Sequence, residues 1–212
     1  TGQPFLGRFS ASASARRVGL LNYELTEQQC QAWVDSRLGE NLDRLQVWNL
    51  RGKHNPLGTA AGRRKLAAEF REQNIGTLII DPFSGAFRRG AGASQDNDSV
   101  KEFLMLLDEM KLEAGLDELI IAVHAGRNTS RTRGASSLDD HPDSLWYLES
   151  DSDSGLRKFH ATGRDVDVAE TLLEHDPRTR ALTISALSLS EGKVRGVEGM
   201  VLDALESGPL SA

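Results

Sequence analysis

The run Thr77-Leu78-Ile79-Ile80-Asp81-Pro82 constrains this chain more than any other stretch. Residues of apolar or β-favouring character lead straight into a carboxylate and then a proline. A continuous apolar run this short suits a strand covered on both faces, as in a parallel sheet. Pro82 cannot extend the hydrogen-bond ladder, so the strand stops at Asp81. In open α/β sheets the carboxyl ends of the strands form the rim where ligands bind. An aspartate there has two readings. It begins a turn after a buried strand, or it holds Mg2+ directly or through water, since that ion takes oxygen ligands.

The segments before the Asp81 strand supply the layers such a sheet needs. Residues 18–24 read as a short first strand that also ends on a carboxylate, Glu24. Thr26 is an N-cap for a helix reaching about Leu38 before Gly39. Residues 45–50 alternate as a second strand, 51–58 form a polar loop, and 59–73 a second helix with its cations outside.

Past Asp81, residues 84–95 read as a Gly/Ser/Arg-rich loop. Asp98 or Ser99 then caps an amphipathic helix with Val100, Phe103, Leu104, Leu107, Met110 and Leu112 close to one face. Residues 119–123 make the most apolar strand, ending on His124. A polar loop follows with Arg127, Arg131 and Arg133. Residues 144–148 and 156–160 pair around an acidic turn, and 170–174 and 181–185 form a second pair. Strand alternating with helix early and hairpins late predicts an α/β fold: a mostly parallel sheet with antiparallel edge hairpins.

Composition narrows the function classes. A chain of 212 residues fits one medium domain with a small appendage. At a net charge of -6 it is no general glue for nucleic acid, so any DNA contact falls to a local basic cluster. The single cysteine, Cys30, excludes an internal disulfide and a cysteine-rich zinc site, and reads as a small buried or half-buried helix residue. No apolar stretch approaches the roughly 18 residues of a membrane span, and no signal peptide is visible. A cytoplasmic location is expected.

Both ends read as cut. Residues 1–7 are already loop-like, and residues 199–205 open a helix that runs into the turn Gly208-Pro209. That tail resembles the first helix and turn of a winged-helix domain, which divides the chain into a core over 1–189 and a linker with a truncated module over 190–212.

Four pieces occur in order: Tyr23-Glu24, the strand ending at Asp81, Val123-His124, and the run from Arg133 through Ser136-Ser137 to Asp140. Together they resemble the RecA-type ATPase core, specifically its RepA-like helicase branch of plasmids and phages, over most of residues 4–184. The resemblance implies a RecA-like three-layer sandwich using ATP and Mg2+. Asp81 becomes the Walker B aspartate on the metal, Glu24 the base orienting the attacking water, and His124 the sensor of the γ-phosphate. Phosphoryl transfer needs a metal, a water-positioning group and positive charge on the phosphate, and these residue types supply the first two. Read without the family, Glu24 is an exposed residue before a capped helix, and His124 a locally bonded residue after a strand.

The family's phosphate loop, Gly-x-x-x-x-Gly-Lys-Ser/Thr, is missing from the sequence. The stretch from Gly58 to Lys65 imitates it with the wrong spacing. The expectation is that the loop, its strand and its helix lie upstream, and that the polypeptide as given binds ATP poorly.

The resemblance also implies a homo-oligomeric ring, a hexamer in the full-length protein, completed by a finger from the neighbouring subunit. The family's arginine is replaced by Asp143, which leaves Arg164 as the preferred candidate and Lys158 as the second. For Arg164 the competing reading is a surface salt bridge to Asp165 or Asp167. Arg127, Arg131 and Arg133 correspond to a central-channel loop for single-stranded or duplex DNA. The alternative to a replication motor or loader is a RecA-like scaffold that assembles on DNA without hydrolysis.

Overall fold

The computed structural model describes residues 2–11, 15–87, 96–124, 136–151, 155–192 and 194. The chain packs into two compact units, residues 13–141 and residues 2–12 with 142–212.

The first unit is built from β1 (Arg17–Asn22), α1 (Glu27–Leu38), β2 (Leu45–Asn49), α2 (Ala60–Glu72), β3 (Ile75–Asp81), a short α3 (Phe83–Ala86), α4 (Asn97–Ala114), β4 (Glu118–Ile121) and the single turn α5 (Ser137–Asp140). Its strands run parallel in the order β2-β1-β3-β4. The alternation of strand and helix forces this direction, because each helix returns the chain to the starting edge. The Asp81 strand starts two residues earlier than the apolar run suggested, at Ile75, and lies inside the sheet between β1 and β4. Ile75, Leu78 and Ile80 are fully buried, against a helix layer that includes Leu66, Phe70, Val100 and Leu107. Burying each such side chain contributes about 1.5–3 kcal/mol.

Local chemistry sets the helix ends. Thr26 caps α1 in a reciprocal arrangement. Its hydroxyl accepts from the Gln29 N–H, while the Gln29 side-chain oxygen accepts from the Thr26 N–H and hydroxyl. Thr59 caps α2 through the Gly62 N–H. The cap of α4 is Asp96, not Asp98 or Ser99. The Asp96 carboxylate accepts from the Ser99 N–H, which leaves Asp98 inside the first turn, where an acid suits the helix dipole. Gly115, at φ +65°, ends α4 with bonds from Gly115 N–H to Leu112 O and from Leu116 N–H to Lys111 O. The buried stripe of α4 includes Val100, Phe103, Leu104, Leu107, Met110 and Ala114. Leu112 falls outside it and is 80% exposed, contrary to the sequence reading.

The expected loop over 84–95 is corrected at its start, while residues 88–95 lie outside the described residues. Residues 83–86 turn once as α3, with Phe83 stacked on Phe87 and set edge-on to Phe103.

The second unit holds β5 (Ser144–Ser150), β6 (Arg157–Gly163), β7 (Asp167–His175) and β8 (Leu182–Ile184), an antiparallel meander in chain order. The late hairpins thus form a sheet of their own. One face carries Phe159, Ala161 and Leu173, packed with Leu6, Phe5 and Phe9. The Ile184 N–H donates to Leu6 O, so the first residues of the chain cover this sheet.

Candidate active site

Parallel pairing aligns the carboxyl ends of the strands at one rim of the first unit. Asn22, Asn49 and Asp81 are cross-strand partners at the ends of β1, β2 and β3. Glu24 stands two residues past β1, and His124 three residues past β4, since both strands stop sooner than the sequence pattern suggested. The rim therefore brings Glu24, Asp81 and His124 together from three consecutively paired strands.

Asn22 builds the Glu24 corner. It is buried, and its side-chain N–H donates to Leu25 O at 2.9 Å and to Asn49 Oδ1 at 2.8 Å. Its Oδ1 accepts from the Leu25 N–H at 2.9 Å and the Glu24 N–H at 3.2 Å. The turn after β1 is thus held by one side chain, an Asx-type arrangement for which Asn is suited. Glu24 then reaches His124, with 3.2 Å between Oε2 and Nε2 and both side chains about half exposed or more.

A second brace lies beside it. The Tyr23 N–H donates to Asp81 O, tying the two strand ends. The Tyr23 hydroxyl donates to Asn55 Oδ1 at 2.7 Å, and the Asn55 amide donates to Ala86 O. Burial pushes the Tyr23 hydroxyl far above its usual range, so it remains a donor. Gly85 lies so close to Tyr23 that an added Cβ would sit 2.5 Å from the Tyr23 Cβ. The Phe83 N–H, donating to Ala122 O, holds the Pro82 corner to the end of β4.

Asp81 is partly buried, and among the described residues its carboxylate makes no hydrogen bond or ion pair. Its pKa is raised, first by burial and then by the Glu24 carboxylate, with His124 opposing. Cys30 faces the same place from α1. Its thiol is pushed up by burial and by the charge of Asp81, which keeps it protonated and unreactive. Sequence reasoning found Cys30 as a buried helix residue but missed its neighbour, as it missed Asn22. An Asn closing a strand, two residues before Glu24, was the available signal.

This donor set fits Mg2+. Among the described residues no three His, Cys, Asp or Glu side chains form a metal cluster. Mg2+ needs no such cage, being held through one or two carboxylates with waters and substrate phosphates. An unpartnered carboxylate at a ligand rim suits it.

The Gly58–Lys65 imitation of a phosphate loop is helix packing. Gly62 lies within α2, and a Cβ there would sit 2.2 Å from Pro56 O. Of the proposed subunit fingers, Lys158 on β6 pairs with Glu170 at 3.2 Å. Arg164 pairs at 3.0 Å with Asp143, not Asp165 or Asp167, because the tight β6–β7 connection turns it back toward the start of β5. Arg127, Arg131 and Arg133 lie outside the described residues. Ser137 packs onto the start of α4, its N–H and hydroxyl both donating to Asn97 Oδ1.

No helix among the described residues is long and apolar enough to cross a membrane. Among curated proteins none matches this chain. Residues 1–130 match the family model described as an AAA domain. The chain belongs to the AAA domain family, a P-loop and RecA-like ATPase family, and its function class is that of a nucleotide-binding ATPase.

Proposed function

We propose that this chain is the core of an ATP-driven motor or helicase loader of the RepA-like type, acting on DNA in phage or plasmid replication. The observation that carries the reading is the unpartnered Asp81 carboxylate beside the Glu24–His124 pair. Asp81 would hold Mg2+, which when bound neutralises charge on the phosphate oxygens. Glu24 accepts a hydrogen bond from the attacking water and is oriented by His124. His124, linked to that water through Glu24, senses whether the γ-phosphate is present and relays this to the loop bearing Arg127, Arg131 and Arg133, which meets DNA. In the assembled ring, a hexamer, Arg164 or Lys158 completes a neighbouring site by exchanging its intrachain partner for phosphate.

The phosphate loop belongs to a preceding segment of a longer protein, and residues 190–212 lead into a winged-helix module. Support for the preceding segment comes from β4. Among the described residues it is an edge strand, paired on one side with β3, so its outer edge is available to a further strand.

The test uses the longer protein. The frame preceding Thr1 is expected to encode Gly-x-x-x-x-Gly-Lys-Ser/Thr. In that protein Asp81→Ala and Glu24→Gln each lower Mg-dependent ATP turnover by about 100-fold or more. Glu24→Gln retains nucleotide binding, whereas Asp81→Ala loses the magnesium dependence. Unchanged turnover in Asp81→Ala sinks the Walker B assignment. A parent protein that binds DNA but does not hydrolyse ATP supports the scaffold reading instead.

A further inference from the structure

We propose that the segment from Arg51 to Lys65 is a second nucleic-acid surface, one that grips the sugar-phosphate backbone beside the carboxylate site. It rests on the reading of a nucleic-acid partner, but not on ATP hydrolysis.

The sequence has no Asp or Glu between Asp43 and Glu69, while Arg51, Lys53, His54, Arg63, Arg64 and Lys65 fall in that interval. In a chain of net charge -6 this is a sharp local reversal. The fold gathers these charges at one end. β2 runs parallel to β1, so the turn after Asn49 emerges on the rim that carries Glu24 and Asp81. α2 starts from that rim and leads back to β3, which leaves its first turns beside the 51–54 turn. Arg51, Lys53, His54, Arg64 and Lys65 are exposed.

The charges are not spent inside the protein. Among the described residues the side chains of Arg51, Lys53 and Arg64 make no hydrogen bond or ion pair. Arg63 differs, donating to Leu57 O at 2.8 Å, and Lys65 stands 3.9 Å from Glu69. No acid occupies the first turn of α2, and the acid nearest in the helix, Glu69, faces Lys65 alone among these cations. The turn is also held in shape. Gly52 takes φ +72°, the Lys53 N–H donates to Leu50 O, and Asn55 is bound to both Tyr23 and Ala86. Little backbone ordering entropy remains to be lost on contact with a ligand.

The chemistry selects the partner. The exposed side chains here are Arg, Lys and His, with Gly58, Thr59, Ala60 and Ala61 between them, and offer no aromatic or large aliphatic anchor. A protein partner, even an acidic one, takes most of its affinity from such anchors. A nucleic-acid backbone needs none, because counterion release alone supplies the attraction. No exposed Phe, Tyr or Trp stands among these side chains to stack on bases, so contacts to the backbone dominate.

The experiment measures binding of a mixed-sequence, fluorescein-labelled single-stranded oligonucleotide to the 212-residue chain by anisotropy across a salt series. It compares the parent with Arg51→Glu/Lys53→Glu/Arg64→Glu, the milder triple alanine variant, and a triple alanine variant at Arg127, Arg131 and Arg133. All altered positions on the 51–65 surface are exposed, and circular dichroism checks that they fold. The expected result is at least about a tenfold loss at low salt for the glutamate variant. The slope of log K against log salt should be shallower by about 2 in the alanine variant, three phosphate contacts at roughly 0.7 each. Parent-like affinity and slope in both 51–65 variants, with loss confined to the 127–133 variant, overturns this surface but leaves the nucleic-acid reading standing. A parent that binds no oligonucleotide at low salt overturns both. Equal competition by polyglutamate overturns the choice of partner.

Discussion

The two sheets of this chain distribute their charged groups differently. In the antiparallel sheet several charges are settled with near neighbours: Lys158 with Glu170, Arg164 with Asp143, and Asp176 with the turn that follows it. The buried His160 Nδ1 on β6 is an exception, with no hydrogen-bond partner among the described residues. Alternation spreads its polar residues along each strand. In the parallel sheet the strands are apolar along their length and push polar residues to the ends, where Asn22, Glu24, Asp81 and His124 accumulate. There Asp81 is left without a hydrogen-bond or ion-pair partner among the described residues, and with a raised pKa. A sheet that satisfies its charges locally is explained by its own fold. A sheet that concentrates charge at one rim and leaves it unsatisfied is explained by something it binds.

That contrast is broken most forcefully in the cores. Phe70 is fully buried and set edge-on to Trp48, whereas Leu148 on the edge strand β5 is 58% exposed. Phe70→Ala is expected to cost about 3–5 kcal/mol in urea unfolding. Leu148→Ala should change stability by less than about 0.5 kcal/mol. Equal losses would mean that the antiparallel sheet depends on its outer face as much as the parallel sheet depends on its helix layer.

The next effect separates the corner from the charges it presents. Asn22→Ala removes four hydrogen bonds and leaves the part-buried N–H groups of Glu24 and Leu25 without their acceptor. A loss of about 2–3 kcal/mol is expected by chemical denaturation. Glu24→Ala, an exposed position, should stay within about 0.5 kcal/mol. A neutral Asn22→Ala would show that the rim is held by the strand ladder alone.

The rim was legible in the sequence to the extent that its causes are local. The apolar run into Asp81 gave the strand and its end, and Thr26 and Thr59 announced two helix starts through side chains one turn away. Asp96 was harder, since Asp96, Asp98 and Ser99 are all competent caps within four positions and only packing of α4 selects among them. Four-residue α3 offers no period to detect, because its stability comes from stacking Phe83 and Phe87 around Phe103. The proximity of Cys30 to Asp81, and the four bonds of Asn22, depend on neighbours brought in by other strands. Separation of the late hairpins into their own sheet is likewise a question of which edges meet, and alternation along a strand carries no record of its partner.

A smaller effect sharpens the comparison at its centre. Burial and Glu24 both disfavour the ionised Asp81 carboxylate, so neutralising it should relieve the fold. Asp81→Asn is expected to stabilise the metal-free chain at pH 7 by about 0.5 kcal/mol, a figure discounted because the group is only half buried. Thermal melts of the two proteins decide it. A destabilised Asn variant would mean that Asp81 is structurally satisfied, which removes the main difference between the sheets.

The smallest expected effect belongs to Asp176, and its sign is opposite. Its carboxylate accepts from the Thr179 hydroxyl and from the N–H groups of Thr179 and Arg178, which hold its pKa below the usual carboxylate range. A depressed folded pKa means that ionised Asp176 stabilises the turn above the ordinary carboxyl pKa, and that this contribution fades as the pH falls through the depressed value. Asp176→Ala should therefore melt slightly earlier than the parent at neutral pH, with the gap narrowing on acidification below about pH 4. The side chain is fully exposed, so the shift should be the least of those considered. A gap that stays constant into acid would assign the turn to its backbone geometry and not to its charge, and the antiparallel sheet would then lose its clearest case of a locally satisfied carboxylate.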